Sequence, residues 1–583
     1  MFKLFRYLKP YWWQVGVLLL ATGGQVFATL QIPALMADII NNGIVKEDTG
    51  YIWQQGLIML GIAVVAAGCA LVSSYFSARV GANFSRDIRA NLYQKVLSLN
   101  LADTKEYSTA SLINRTTDDI NQVQQAIMMM LSVMLLAPMF CIFALVMAIR
   151  TAPDMSWIIA VGIVAILLAA SLILGFTMPK FKIFQKLVDK ITLLTRENLT
   201  GLRVIRAFDN ERLEKDKFAK TNDEITKLNI FLDKILKLMG PMVNIIFNGT
   251  TLLCSWVGIS LLTKDFSYLG DMSAFAQYVS FVMMSFLMLS ILFVMLPRAN
   301  VCAGRINEIM NIKSKICWQT ETQGIPTKQA SIEFKDVDFR YPGAEEKVLD
   351  NISFVARAGE SIAFIGSTGS GKSTLINLVP RFYEATSGEI LVNGINVKEY
   401  TQSDLTQRIG LVPQKGVLFA GTVKANIKFG APNATDAEVK AAAKIAQADD
   451  FIQKLPGGYA AHIAQGGNNV SGGQKQRLSI ARAVCKNPDI FIFDDSFSAL
   501  DMKTDTKLRA ALKPLANNAV MMIVAQRVST IKNADQIVVL DSGKMVGKGK
   551  HLELLKKCPV YRSIVKSQLS DKEFEKEMRL ADA

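Results

Sequence analysis

The run Gly366-Ser367-Thr368-Gly369-Ser370-Gly371-Lys372-Ser373, followed by Thr374, has the residue types and the spacing to hold a polyphosphate. Glycines let backbone N–H groups approach phosphate oxygens, Lys372 reaches the terminal phosphates, and Ser373 offers a hydroxyl to Mg²⁺. An apolar stretch precedes this loop and a helical stretch follows it, so a helix N-terminus adds its dipole. Further on, Phe491-Ile492-Phe493-Asp494 reads as a strand ending in a carboxylate placed to organise the same Mg²⁺. The chemistry is that of a nucleoside triphosphate with its metal.

The elements around these residues follow from residue 331 onward. Alternating Ile332-Glu333-Phe334, and apolar runs at 361–365 and 490–494, read as strands separated by helical segments. That order predicts a mostly parallel sheet with ligands at the strand C-termini. The first half of the chain is different. Of the 583 residues half are hydrophobic, and six uncharged stretches stand at 10–37, 51–78, 127–149, 155–178, 238–263 and 272–297. Each exceeds the roughly 20 residues that a helix needs to cross a bilayer. The expected architecture is an all-α, six-span membrane domain with long intracellular helices, fused to a cytoplasmic α/β P-loop nucleotide-binding domain. Residues 1–310 form the first part, 311–330 a polar linker with Gly324 and Pro326, and 331–583 the second.

Basic residues set the expected orientation. The start carries Lys3, Arg6 and Lys9, and the connections 79–126 and 179–237 carry six and fourteen Lys/Arg. The opposite connections hold Lys46, Arg150 and Lys264. Both termini and the two long connections are therefore expected in the cytoplasm. Topology accounts for much of the net charge of +15, and nucleic acid is not an expected partner. The long connections are rich in helix formers and extend the spans, with hairpin tips near 108–111 and 199–204 where a short helix could press on the nucleotide domain. The seven cysteines show no CxxC, and with only His462 and His551 a His/Cys metal site is not expected. The N-terminal apolar run is too long for a cleavable signal.

Val470-Ser471-Gly472-Gly473-Gln474 opens another helical segment, and here the chain resembles the ATP-binding-cassette transporters, whose signature is LSGGQ. Their other motifs fall in order. Tyr341 stands where an aromatic ring stacks on adenine, Gln414 in Val412-Pro413-Gln414 where a glutamine nears Mg²⁺ and water, and Ser498-Ala499-Leu500-Asp501 where the D-loop lies. The membrane half, with Glu197-Asn198-Leu199-Thr200-Gly201 on its second connection, looks like the exporter type. The resemblance implies two cassettes that sandwich two ATPs, each ATP lying between one phosphate loop and the other cassette's signature. It also implies Mg²⁺ ligation by Ser373, Gln414 and Asp494.

Two departures matter. Asp495 stands where hydrolytic members carry Glu, and Gln526 in Ile523-Val524-Ala525-Gln526-Arg527 where they carry His. Asp is one methylene shorter than Glu, and Gln cannot carry an imidazole's charge. In addition, Ala464-Gln465-Gly466-Gly467 replaces the usual Gly-Glu-x-Gly. With Ser471–Gln474 intact, this pattern resembles the degenerate-site subunit of bacterial heterodimeric multidrug exporters. The implied role is one half of an ATP-driven exporter in a bacterial plasma membrane. Its own site would be weak, and its Ser471 would complete a partner's. Uncharged spans and methionine-rich stretches (Met128 to Met147, Met272 to Met295) suit amphipathic cargo weakly, although lipid-facing or interhelical packing explains those methionines as well. Lipid or peptide export, or a slow homodimer using Asp495, would carry the same motifs, whereas a soluble cassette of DNA repair is excluded by the six spans.

Overall fold

The computed structural model describes residues 2–582 apart from 263–267, 313, 315 and 328. It parts into two compact units, one of residues 1–97 and 109–312 and the other of 98–108 and 313–583. In chain order the first half is helical: α1 (Trp12–Asp38), α2 (Thr49–Leu97), α3 (Leu101–Lys105), α4 (Thr109–Thr116), α5 (Asp118–Thr151), α6 (Trp157–Thr200), α7 (Leu202–Ala207), α8 (Glu211–Leu262) and α9 (Tyr268–Met310). In lipid only a helix satisfies all of its backbone groups within one segment, which is why these apolar runs coil. At a rise of 1.5 Å per residue the 49 residues of α2 extend about 73 Å, more than twice a hydrocarbon core. The long helices thus continue the spans well beyond the bilayer.

Among the described residues five stretches are long and apolar enough to cross a membrane: Lys3–Ile44, Thr49–Leu97, Thr109–Thr151, Pro153–Thr200 and Leu269–Leu289. The stretch expected at 238–263 lies on α8 as far as Leu262, while Thr263 and Lys264 fall outside the described residues. Glycine notches hold the bundle together. A Cβ on Gly81 would lie 2.3 Å from Cγ of Met128, one on Gly162 2.0 Å from Cε of Met283, and one on Gly258 2.2 Å from Sδ of Met272. These methionines are therefore packing knobs between helices. A polar seam runs beside them, with Thr22 Oγ1 and Ser73 Oγ 2.8 Å apart and buried, and Ser77 Oγ donating to the Met128 carbonyl at 3.1 Å.

The second unit is built on a ten-stranded sheet. Its strands are β1 (Ser331–Phe339), β2 (Leu349–Arg357), β3 (Ser361–Gly366), β4 (Ser387–Val392), β5 (Ile395–Asn396), β6 (Ile409–Val412), β9 (Ile490–Asp494), β10 (Val520–Val524), β11 (Gln536–Asp541) and β12 (Lys544–Gly549), with β7 (Gly421–Thr422) and β8 (His462–Ile463) as a separate pair. The order is β5-β4-β1-β2-β12-β11-β3-β10-β9-β6. Strands β11, β3, β10, β9 and β6 run parallel, but β1, β2, β4 and β5 are antiparallel, which corrects the expectation of a mostly parallel sheet. Two of the antiparallel pairings, β4 with β5 and β11 with β12, are set by tight turns. Asn393-Gly394 has φ of 49° and 80°, the left-handed pair that a tight hairpin demands, and Ser542-Gly543 repeats it between β11 and β12.

The helices of this unit are α10 (Lys372–Leu378), α11 (Gln402–Gln407), α12 (Val423–Lys428), α13 (Asp436–Ile445), α14 (Asp449–Lys454), α15 (Gly472–Lys486), α16 (Met502–Ala516), α17 (Val528–Ile531), α18 (His551–Lys557), α19 (Pro559–Gln568) and α20 (Asp571–Asp582). The sheet divides the buried apolar residues into two cores, one with Phe491, Phe493 and Leu478, the other with Phe334, Phe354 and Ile492. Short helix α3 also belongs here: Ala102 packs against the second core and Asn100 Nδ2 donates to Ser314 Oγ at 2.7 Å. The pressing helix of the first connection thus lies some residues before the expected 108–111. The expected linker is strapped down. Gln323 N–H donates to the Glu399 carbonyl at 3.0 Å, Thr327 N–H to Asn393 at 2.9 Å, and Trp318 lies under the Arg381 guanidinium at 4.8 Å.

Candidate functional site

The phosphate loop runs from the end of β3 into α10. Gly366 leaves no room for a side chain, since a Cβ would lie 2.0 Å from the Leu540 carbonyl oxygen. Gly371 has φ of +97°, and a Cβ there would meet Leu349 Cδ2 at 2.7 Å and the Val348 oxygen at 2.9 Å. Lys372 is 9% exposed and its ammonium donates to the carbonyls of Gly366 (2.9 Å) and Ser367 (2.6 Å) and to Ser370 Oγ (3.2 Å). Those oxygens occupy the directions in which phosphate oxygens would be met. Ser373 Oγ donates to Asp494 Oδ1 at 3.1 Å, so the hydroxyl and the strand-end carboxylate already face each other.

Adjacent strand ends bring in the remaining groups. Asp495 follows β9 with φ of +47°, a left-handed conformation uncommon outside glycine, and is 8% exposed. Its backbone N–H donates to the Val524 carbonyl at 3.0 Å and Gln414 Nε2 to its Oδ2 at 3.5 Å. The amide N–H of Gln526 also favours its charged form. Burial pushes the carboxyls of Asp494 and Asp495 up and the Lys372 ammonium down. Gln414 is positioned from α15, whose Gln476 Nε2 donates to the Pro413 carbonyl at 3.0 Å. The donor set of serine hydroxyl, carboxylate and glutamine oxygen is hard and oxygen-only, which fits Mg²⁺.

Tyr341 is half-buried, its hydroxyl 2.9 Å from Thr374 Oγ1. Its ring is held edge-on by Phe339 (centroids 4.9 Å apart) and Tyr383 (5.2 Å). The signature lies at the exposed N-terminus of α15. Ser471 Oγ caps it by accepting from Gln474 N–H at 3.3 Å, and Gln474 Oε1 accepts from Ser471 N–H at 2.9 Å. A Cβ on Gly473 would stand 3.3 Å from the Ala499 oxygen, so signature and D-loop are neighbours.

Two family models match the chain, one for the ABC transporter transmembrane region over residues 15–286 and one for the ABC transporter cassette over 349–498. An uncharacterised ABC transporter ATP-binding protein of Mycobacterium tuberculosis is 36% identical over 97% of both chains. The chain belongs to the ABC transporters. It is a half-transporter, with one membrane domain and one ATP-binding cassette in a multi-pass protein. Another relative, the ATP-dependent lipid A-core flippase of Aromatoleum aromaticum, is 31% identical over 95% of this chain and 94% of its own. In fold this ABC transporter is similar to a bacterial Atm1-family ABC exporter with ATP bound, at a TM-score of 0.79 and 22% identity over 97% of this chain and 99% of that one.

The structure brings Lys372, Ser373, Gln414, Asp494, Asp495 and the Gln526 backbone together around one strand edge, with Tyr341 joined to Thr374 at the rim. Ser471, Gly472, Gly473 and Gln474 form a second feature, beside the D-loop. Sequence reading missed the support beneath the switch residue: Gln568, at the end of α19, accepts from Val528 N–H at 2.8 Å and donates to the Gln526 carbonyl at 2.7 Å. It also missed that Ser471 has a structural duty as a cap, although S-x-x-Q is a readable capping box.

Proposed function

We propose that this chain is the weakly hydrolysing half of an ATP-driven exporter in a bacterial plasma membrane, with both termini in the cytoplasm. It would act in a heterodimer whose other half carries Glu and His at the positions of Asp495 and Gln526. Residues 1–310 would form the transmembrane domain, 311–330 the linker and 331–583 the cassette. One observation carries the reading. The carboxylate at the base position hangs on a short, left-handed residue and accepts from Gln414 Nε2 at 3.5 Å. Asp495 therefore lies tethered to the strand edge, and Gln526 beside it has no charge to lend. Such a site binds ATP and closes on it, but deprotonates water poorly.

In this reading residues 366–374 cradle the phosphates, with Lys372 trading the loop's own oxygens for those of the β- and γ-phosphates, and Tyr341 supports the adenine. Ser373, Asp494 and Gln414 would hold Mg²⁺. When bound, the metal would supply charge neutralisation to the phosphates. The exposed N-terminus of α15 offers Ser471 and the Gly472 and Gly473 amides to the γ-phosphate of the partner's ATP. A partner is supported by the tip of the second cytoplasmic connection as well. Leu199, Val204 and Phe208 stand 72%, 60% and 72% exposed within this chain.

The cargo we propose is an amphipathic small molecule. Lipid is the second reading, favoured by the flippase relatives and by an open apolar depression of about 410 Å³ on α2, lined by Trp53, Leu57 and Leu60 with Ile32 of α1. The deciding experiment is ATPase activity of the chain reconstituted alone and with candidate half-transporters. Robust turnover from the chain alone would overturn the heterodimer.

A further inference from the structure

Helix α19 of the cassette reaches back to the switch loop. Val528, the first residue of α17, is buried, and its N–H donates to Gln568 Oε1 at 2.8 Å. The other arm of the same amide, Nε2, donates to the carbonyl of Gln526 at 2.7 Å. The carbonyl of Gln526 and the N–H of Val528 are therefore both anchored to one amide of α19, and the loop that carries the residue 526 side chain is held from that side. Beyond the loop a second tie, Lys532 Nζ to Glu577 Oε1 at 3.4 Å, fastens α17 to α20. Phe574 and Met578 of α20 pack on the core beneath.

A glutamine suits this place for a chemical reason. Only a planar group with one donor arm and one acceptor arm answers a carbonyl and an N–H two residues apart. A carboxylate would repel the carbonyl, and an apolar side chain would leave both to compete for water.

We propose that Gln568 is a positioning residue of this nucleotide site: it clamps residues 526–528, so that the switch side chain is presented to the γ-phosphate in one orientation. This rests on the reading of Gln526 as the residue facing that phosphate. It extends the functional site to α19, 42 residues beyond the switch.

The test uses the full-length transporter, assembled with its partner in lipid nanodiscs. Gln568→Leu removes both arms, and Gln568→Glu keeps only the acceptor for Val528 N–H. With Leu, amide exchange across 525–530 is expected to accelerate about tenfold while β10 (520–524) stays protected. Glu should leave the Val528 amide protected. In an Asp495→Glu, Gln526→His background, Gln568→Leu should lower kcat about fivefold with KM within about twofold. Unchanged exchange at 525–530 overturns the clamp, and so does a loss of protection that spreads to β10. A repaired background that gains no hydrolysis sinks the reading of the switch position instead, and exchange still decides the clamp.

Discussion

At the scale of single residues, the contrast between Asp495 and a longer carboxylate is open to direct test. Asp495→Glu with Gln526→His should raise hydrolysis at this chain's own site by on the order of tenfold or more, since a well-placed general base contributes about 10²–10⁴. Vanadate trapping of nucleotide on this cassette would read it. Conversely, Ser471→Ala should cripple turnover at the partner's site, whereas Ser471→Thr, which preserves the cap of α15, separates that effect from helix fraying worth about 1 kcal/mol. The chemical residues were legible because their spacing is imposed by phosphate geometry. What was not legible was their support. Gln568 lies far along the chain in an ordinary helical segment, and no spacing rule ties it to Gln526.

Elements carry different predictions. Gly162 accepts Met283 so closely that Gly162→Val should cost about 1–3 kcal/mol by overpacking, with Met283→Ala in the same chain restoring part of it. Thermal denaturation in nanodiscs measures both. In the C-terminal helices, His551 is buried with Nδ1 2.7 Å from the Tyr561 hydroxyl and Nε2 3.4 Å from Glu577, which Lys532 also meets. Burial lowers its pKa below the usual 6.5. The unfolded chain takes up that proton near pH 6.5 and the folded chain only below it, so the stability contributed by the neutral ring is full above 6.5 and lost as the pH falls beyond. Melting temperature should therefore drop less between pH 7.5 and 5.5 in His551→Gln than in the native chain. The helices themselves were readable from long uncharged runs. In the antiparallel half of the sheet Asn393-Gly394 signals the β4–β5 hairpin, but no short turn marks the pairing of β1 with β2 and β4.

For the whole molecule, the exposed Leu199, Val204 and Phe208 predict that assembly depends on the second connection. Phe208→Asp should weaken dimerisation and ATP turnover together while leaving the melting of the single chain unchanged, as light scattering and calorimetry would show. The division into a membrane half and a cassette was plain from composition. The place of 98–108 within the cassette unit was not, because a five-residue helix has no periodicity to read.

The strap described above has a consequence for dissecting the protein. A cassette cut free at Ser331 would lose Gln323 and Thr327 from the carbonyls they cap and strip Trp318 from Arg381, baring a strip along β4, β5 and α11. One begun at Ser314 would retain them. The shorter fragment should self-associate through that strip and the longer one stay monomeric. The segment that looks like spacer in the sequence is thus the hem of the folded cassette.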